Sequence, residues 1–255
     1  MIKHSRKKHF VATLAVAIAA VSSARAAFVL VDDFEMGSNG PVSGQNDWYA
    51  ADDTSVITTD PANEDNQVLA VTADSTHLHH ELFLLNGTVR MLYWRFRFGG
   101  QQAYSFGMSA STFPDQFGEF EVELSMSNAN NNLRVLDDNY YEELIELQPH
   151  TWYNVWFLID NSTDESRVYL HPGRVRPADL NDLLDSEGQT EFVFRGGTGG
   201  DLRTFYIKTG GGSSGNSGPL YLDDIHLEDT AAVNLNNPTV IPPDFNDDGD
   251  VDLAD

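Results

Sequence analysis

Short runs of alternating apolar and polar residues, several of them rich in aromatics, recur along most of the chain. A period of two places successive side chains on opposite faces of a β-strand. Gly, Asn, Asp and Pro, which favour turns, separate the runs. The predicted strands are 28–34, 68–73, 77–85, 88–98, 103–110, 118–127, 132–137, 151–160, 166–171, 190–195, 202–208 and 219–228. Only 177–186 has a helical pattern, so the sequence predicts an all-β sandwich or jelly roll.

The alternation also predicts which side chains face the core. In the strand 91–98 the predicted core residues are Leu92, Trp94, Phe96 and Phe98. The residues between them are predicted to lie on a wetter face and to be candidates for ligand binding: Tyr93, Arg95 and Arg97. In 119–124 the same rule predicts core positions for Phe120, Val122 and Leu124. It places Glu119, Glu121 and Glu123 together on the other face.

The first 26 residues predict a secretion signal. Basic residues precede an apolar run at 10–21, and Ala24-Arg25-Ala26 has the form of a signal-peptidase site. The apolar run is shorter than the roughly 20 residues that cross a bilayer. We therefore expect residues 1–26 to be removed, and the mature protein to be secreted or on the cell surface without a membrane span. An uncleaved anchor is the alternative.

The composition excludes several classes of partner and of site. The chain has 39 acidic and 15 basic residues, with a net charge of -24. Such a surface repels phosphate backbones, so no nucleic-acid partner is expected. It is equally unsuited to anionic membranes and to sulfated or uronate-rich polymers, unless calcium bridges the two. The absence of cysteine excludes disulfides and thiolate sites, and the abundant aspartates favour calcium as the stabilising element.

Three segments resemble secreted jelly rolls. HTWYNVWFLIDNSTDESRVYL at 150–170 resembles the central hairpin of laminin-G-like, concanavalin A-like domains. FVLVDDFE at 28–35 and PLYLDDIHLE at 219–228 resemble the paired first and last strands of carbohydrate-binding jelly rolls. The resemblance implies one concanavalin A-like jelly-roll domain over 28–229. Lectins, adhesion modules, glycoside hydrolases and polysaccharide lyases share this fold, so the implied partner is an extracellular polysaccharide or glycan.

Acidic pairs in the first and last strands predict a structural calcium ion. If these strands are neighbours, Asp33 and Glu35 face Asp223 or Asp224 across the sheet edge. Packed carboxylates repel one another unless a divalent cation lies between them. The alternative is a set of solvated strand ends in a very acidic protein.

The tail contains a calcium-loop motif. After a predicted linker at 230–243, DFNDDGDVDLAD at 244–255 matches the pattern D-x-[DN]-x-[DN]-G. The predicted calcium ligands are Asp244, Asn246, Asp248, Asp250, Asp252 and Asp255. The loop resembles one half of a type I dockerin repeat, which implies a cohesin-type partner only if the chain continues beyond Asp255. We expect weak calcium binding by this half repeat and interpret the chain as a fragment of a longer protein; an early end of the reading frame is the alternative.

One acidic strand raises the possibility of catalysis. Glu119-Phe-Glu-Val-Glu123 resembles the E-x-D-x-E strand of glycoside hydrolase family 16. The resemblance implies Glu119 as nucleophile, Glu121 as assisting acid and Glu123 as acid/base. A central Glu in place of Asp, without a tryptophan-rich floor upstream, departs from that family. The alternatives are a ladder of these glutamates against Arg95 and Arg97, or a non-catalytic sugar-binding groove.

Two further groups are candidate site residues. His77, His79 and Glu81 alternate on one strand face, where they are either transition-metal ligands or solvated residues. Tyr140 and Tyr141 follow an Asn/Asp-rich turn and could stack on sugar rings. The function predicted from these features is non-catalytic glycan binding or adhesion by a calcium-braced jelly roll. The alternatives are a hydrolase or lyase, and a structural exoprotein that binds no sugar.

Overall fold

Two antiparallel β-sheets packed face to face form the described part of the protein. The computed structural model describes residues 28–72, 76–100, 103–127, 129–173, 178–196, 200–210, 218–228, 230 and 233–239. The predicted signal peptide at 1–26 and the predicted calcium loop at 244–255 lie outside the described residues. Within the described ranges, no helix is long and apolar enough to cross a membrane.

The larger sheet has nine strands. They are β1 (Phe28–Asp32), β2 (Gly40–Pro41), β4 (Ser55–Asp60), β5 (Asn63–Val71), β7 (Val89–Phe98), β12 (Tyr153–Asp160), β13 (Glu165–Pro172), β14 (Phe192–Val193) and β16 (Leu220–Glu228). Their order is β14-β13-β12-β7-β16-β5-β4-β2, with β1 paired to β16.

The smaller sheet has seven strands. They are β3 (Trp48–Ala50), β6 (His77–Leu84), β8 (Tyr104–Ser109), β9 (Phe120–Met126), β10 (Asn132–Asp137), β11 (Tyr140–Glu146) and β15 (Leu202–Thr209), in the order β11-β10-β9-β8-β15-β6-β3. The prediction of an all-β jelly-roll sandwich is confirmed. The helical prediction at 177–186 is wrong for its described residues: they contain one 3-10 turn, Leu180–Asp182, which ends where the extended residue Leu183 bridges to Tyr169.

Aromatic side chains fill the space between the sheets, as the alternation in β7 predicts. Leu92, Trp94, Phe96 and Phe98 are all fully buried in one core cluster. The Trp94 ring lies 5.5 Å from that of Phe106 on the facing sheet. Large rings in tilted and edge-on contact contribute both buried area and specific geometry to such a core.

The outer face of the nine-stranded sheet is also covered, as the aromatic residues on both faces of 152–157 predict. Residues 233–239, here called the C-terminal strap, run over β7 and β12. The backbone oxygen of Leu235 accepts a hydrogen bond from Ala178 N at 2.8 Å, and that of Asn236 accepts one from Trp156 Nε1 at 2.8 Å. Tyr93 is fully buried beneath this cover. The strap lies within the segment 230–243 that was predicted as a linker.

The closing strand β16 occupies the middle of the nine-stranded sheet. One edge pairs with β7, and the other pairs first with β5, at Leu220–Leu222, and then with β1, from Ile225 onward. A β-bulge between these two stretches contains Asp224 in the left-handed region, with φ 53°. The predicted pairing of the first and last strands is therefore confirmed.

We expect Leu235→Ala to lower the free energy of unfolding by about 1 kcal/mol, because this half-buried side chain packs on the cluster around Tyr93 and Trp156. Urea unfolding followed by tryptophan fluorescence measures the change. Leu180→Ala is the matched control, since Leu180 is 77% exposed and its truncation should change stability little. Equal effects of the two substitutions would show that the strap adds nothing to stability.

Candidate functional site

A row of polar and aromatic residues crosses the outer face of the seven-stranded sheet. The neighbours of these residues in each strand, such as Leu78 and Phe205, belong to the core, so the row itself faces outward. Paired in register across five strands, the row consists of Tyr49, His79, Tyr206, Gly107 and Glu123. The site is built at the Tyr49 end of this row.

Two adjoining cavities open at that end, beside β3, β6 and the loop before β9. The first, of about 340 Å³, is lined by Asp47, Tyr49, His79, Glu81 and Phe113 together with two threonines. The second, of about 310 Å³, shares Tyr49, His79 and Phe113 and extends past His77, Pro114 and Asp115. We call the two together the His79 groove.

Exposed aromatic rings border the His79 groove. Tyr49 is 46% exposed, and its ring stacks on that of His79 with 4.9 Å between the centroids. Phe113 is 74% exposed and meets the same imidazole edge-on at 5.7 Å. Both rings therefore hold fixed positions while they present apolar surface to the solvent.

His79 forms the buried floor of the groove. It is 5% exposed, and its Nδ1 atom has no hydrogen-bond partner. Burial lowers the pKa of His79, and the positive charges that His77 and His80 can carry lower it further. The ring is therefore neutral near pH 7, with a polar atom whose hydrogen bond is unmade. This atom is itself shielded from solvent, so His79 faces the open part of the groove with other atoms of its ring.

Two carboxylates stand on the rim of the groove. Asp47 and Glu81 are exposed, and within the described part of the chain neither forms an ion pair or a side-chain hydrogen bond. The nearby cation Lys208 is engaged elsewhere, since its Nζ donates to the backbone oxygen of Asp115 at 2.7 Å and lies over the ring of Phe117. The mouth of the groove is accordingly acidic.

The other end of the row is closed. Glu123 is fully buried, and its carboxylate accepts hydrogen bonds from Tyr141 Oη at 2.8 Å and from Arg195 Nη2 at 3.1 Å. Burial raises the pKa of Glu123 above its ordinary value despite these partners. Arg134 stacks over the Tyr141 ring at 4.6 Å and completes the cover.

Glu119 and Glu123, the predicted nucleophile and acid/base, do not line one cleft. Glu119 belongs to a 3-10 turn, where its Oε2 accepts hydrogen bonds from the backbone of Asp115 and Gln116. A register shift between β8 and β9 puts Phe120 opposite Ser109, and its ring packs on Tyr206. Phe120 is fully buried as predicted, but it lies on the outer face of this sheet and not between the sheets, because the bulge reverses the alternation.

The predicted ladder against Arg95 and Arg97 is also wrong, because these arginines lie on β7, in the other sheet. Arg97 is half-buried, with Nε donating to the His150 backbone oxygen at 3.1 Å and its guanidinium over the Tyr221 ring. Tyr140 is 74% exposed on the edge strand β11, far along the sheet from the His79 groove.

Arg95 and the acidic pair in β16 turn out to be partners. Arg95 is 5% exposed, so the expectation that it and Tyr93 lie on a wet face is wrong. Its guanidinium contacts the Asp224 carboxylate and lies 3.5 Å from Asp223, which also accepts a hydrogen bond from Asn66. Burial, with the neighbouring charge of Asp224, raises the pKa of Asp223 to about 8.

The remaining predicted calcium ligands have local partners. Asp33 accepts a hydrogen bond from the Glu35 backbone at 3.2 Å, and Glu35 accepts one from the Gln67 backbone at 2.8 Å. Among the described residues, no three His, Cys, Asp or Glu side chains form a group that could hold a metal ion. Calcium therefore stays a prediction.

Sequence reasoning singled out His77, His79 and Glu81 but missed the groove that contains them. Asp47, Tyr49 and Phe113 come from separate segments, and only the strand pairing brings them to β6. A lone aromatic in the polar loop 109–116, followed by Pro114, was the available signal for Phe113.

Comparisons with known proteins establish the fold. No protein-family model and no curated protein matches the chain. Among solved structures, a sialidase aligns with a TM-score of 0.55 and 8% identity over 80% of this chain, which spans 18% of the sialidase. The catalytic domain of a glycoside hydrolase family 131 protein from Coprinopsis cinerea aligns with a TM-score of 0.53 and 12% identity, over 82% of this chain and 97% of that one. The carbohydrate recognition domain of Emp47p aligns with a TM-score of 0.50 and 11% identity, over 78% of this chain and 94% of that domain. The fold is therefore a concanavalin A-like jelly roll.

The raised pKa of Asp223 predicts a pH dependence of stability. Between its ordinary pKa of 3.8 and about 8, the folded protein holds a proton that the unfolded chain has released. The free energy of unfolding should therefore fall as the pH rises through this window. We expect wild type to lose on the order of 3 kcal/mol more than Asp223→Asn between these limits. Urea unfolding at several pH values measures this, with Asp65→Asn as the exposed control; parallel curves for wild type and Asp223→Asn would contradict it.

Proposed function

We propose that the protein is an exported, non-catalytic glycan-binding protein whose binding site is the His79 groove. The observation that carries the proposal is the pair of exposed rings, Tyr49 and Phe113, which pack against the buried His79 in a groove that Asp47 and Glu81 also line. Aromatic surface combined with a few fixed polar groups is the usual composition of a small-ligand site. Sugar rings need this combination, because they have apolar faces and hydroxyl edges.

The fold supports the proposal without deciding it. The carbohydrate recognition domain of Emp47p shares the architecture, and so does the family 131 catalytic domain. The leader predicted at 1–26 supports export and hence an extracellular polysaccharide as partner. We propose that such a glycan binds on the outer face of the seven-stranded sheet, because the strap covers the outer face of the nine-stranded sheet.

The positions of Glu119 and Glu123 support glycan binding as the function and not glycan hydrolysis by this strand. The carboxylate of Glu119 is occupied by two backbone N–H groups, and Glu123 is sealed beneath Tyr141 and Arg195. A retaining or inverting hydrolase needs two carboxyl groups that flank the scissile bond. Neither of these two side chains reaches a cleft in this arrangement.

We expect Tyr49→Ala and Phe113→Ala each to weaken glycan binding about fivefold, because each removes a stacking surface worth roughly 1 kcal/mol. Native affinity electrophoresis through gels that contain a panel of neutral and acidic polysaccharides measures retardation of the protein. Tyr140→Ala is the matched control, since this exposed tyrosine lies at the opposite edge of the sheet.

Three outcomes of the electrophoresis would contradict the proposal. Clearing of the gel along the lane would show an enzyme. Free migration through every gel would favour a structural exoprotein. Loss of retardation in Tyr140→Ala, with Tyr49→Ala unchanged, would move the site to the β11 edge.

We also propose that the C-terminal tail binds calcium. The motif at 244–255 supports weak binding, with a dissociation constant of roughly 1 mM. We expect Asp248→Ala to abolish the heat of calcium binding in titration calorimetry, whereas Glu64→Ala leaves it unchanged. We expect a chelator to leave the melting temperature at pH 7 unchanged, because Arg95 pairs with Asp224 and Asp223 keeps its proton up to about pH 8. A large fall in melting temperature on chelation would instead support calcium bound between the strands.

A further inference from the structure

The charges around the His79 groove restrict the kind of glycan that it can bind. Asp47 and Glu81 both line the 340 Å³ cavity, and within the described residues neither carboxylate has a protein cation or hydrogen-bond donor. An anionic sugar such as a uronate would meet these two carboxylates without a compensating charge. A neutral sugar could donate hydroxyl hydrogen bonds to them but would leave their two negative charges uncompensated.

A cationic group fits the same features. Besides the two carboxylates, the cavity wall offers the faces of Tyr49 and Phe113, and aromatic faces attract ammonium ions. The floor residue His79 is 5% exposed, and burial lowers its pKa, so it offers little positive charge that would repel an ammonium ion. The ammonium group of Lys208 keeps its charge, but the Asp115 backbone and the Phe117 ring hold it in place, so it forms no ion pair with Asp47 or Glu81.

Building on the proposed function, we infer that the His79 groove binds a glycan that carries protonated amino groups, with Asp47 and Glu81 as the counter-charges and Tyr49 and Phe113 as the stacking surfaces. A chain of amino sugars with free amines has both the apolar ring faces and the positive charge that this arrangement requires. The net charge of -24 over the whole chain draws such a polymer towards the protein, and the groove supplies the specific contacts.

The test compares two ligands of equal length that differ in the charge of the amine and in its N-acetyl group. Short β-1,4-linked glucosamine oligomers and their N-acetylated counterparts of equal length are titrated into the full chain at about pH 6, below the ordinary pKa of an amine. We expect the amine form to bind at least about tenfold more tightly. The double variant Asp47→Asn/Glu81→Gln, which lacks both carboxylates, should bind the amine form about tenfold more weakly than wild type does. Added salt should weaken the binding of the amine form only.

A matched control separates the groove from the general acidity of the surface. Glu64→Gln/Asp65→Asn removes the same two charges from exposed positions of β5 on the other sheet. We expect this variant to bind like wild type. Equal weakening in the two double variants would show that only the overall charge attracts the amines, and would overturn the inference.

The inference and the proposed function can fail separately. Equal affinity for the two oligomers, unchanged in Asp47→Asn/Glu81→Gln but lowered in Tyr49→Ala, would overturn the amino-sugar specificity and leave glycan binding intact. If neither oligomer binds, and no polysaccharide in the electrophoresis panel retards the protein, both proposals fail.

Discussion

The buried contact of Arg95 with Asp223 and Asp224 is the interaction on which the larger sheet depends. It lies where β16 leaves β5 and begins to pair with β1, so the bulge that permits this exchange also brings two carboxylates together. Burial, together with the neighbouring charge of Asp224, raises the pKa of Asp223 to about 8, and the guanidinium of Arg95 offsets only part of this rise. The central strand is thus joined to β7 by charge as well as by its hydrogen-bond ladder.

The two outer faces of the sandwich have different roles because only one of them carries the strap. Over β7 and β12 the strap and its hydrogen bonds bury Tyr93 and Trp156, which makes that sheet a middle layer. The described part of the seven-stranded sheet instead keeps an exposed groove beside His79. The stabilising aromatic residues and the candidate binding residues therefore lie on opposite sides of the molecule.

Local alternation predicted the fold class and the core but could not predict events that depend on distant segments. Trp94 and its neighbours were placed correctly, because burial between the sheets follows directly from a period of two. Arg95 was misplaced because its cover comes from a segment more than a hundred residues away. Phe120 was misplaced because a bulge reverses the alternation within its own strand. The groove was not predicted because it also depends on distant segments: Asp47 and Phe113 come close to His79 only after the strands pair.

The position of β16 has a kinetic consequence. Phe28 pairs with Glu228, about 200 residues later in the chain, and the same strand supplies the ladder between β5 and β7. Closing such long loops costs entropy before any contact compensates for it, so topologies of this kind fold slowly. A ribosome-bound chain that still lacks β16 has neither a complete central sheet nor a partner for its first strand. Such a chain stays unable to finish folding until almost all of the domain has been synthesised.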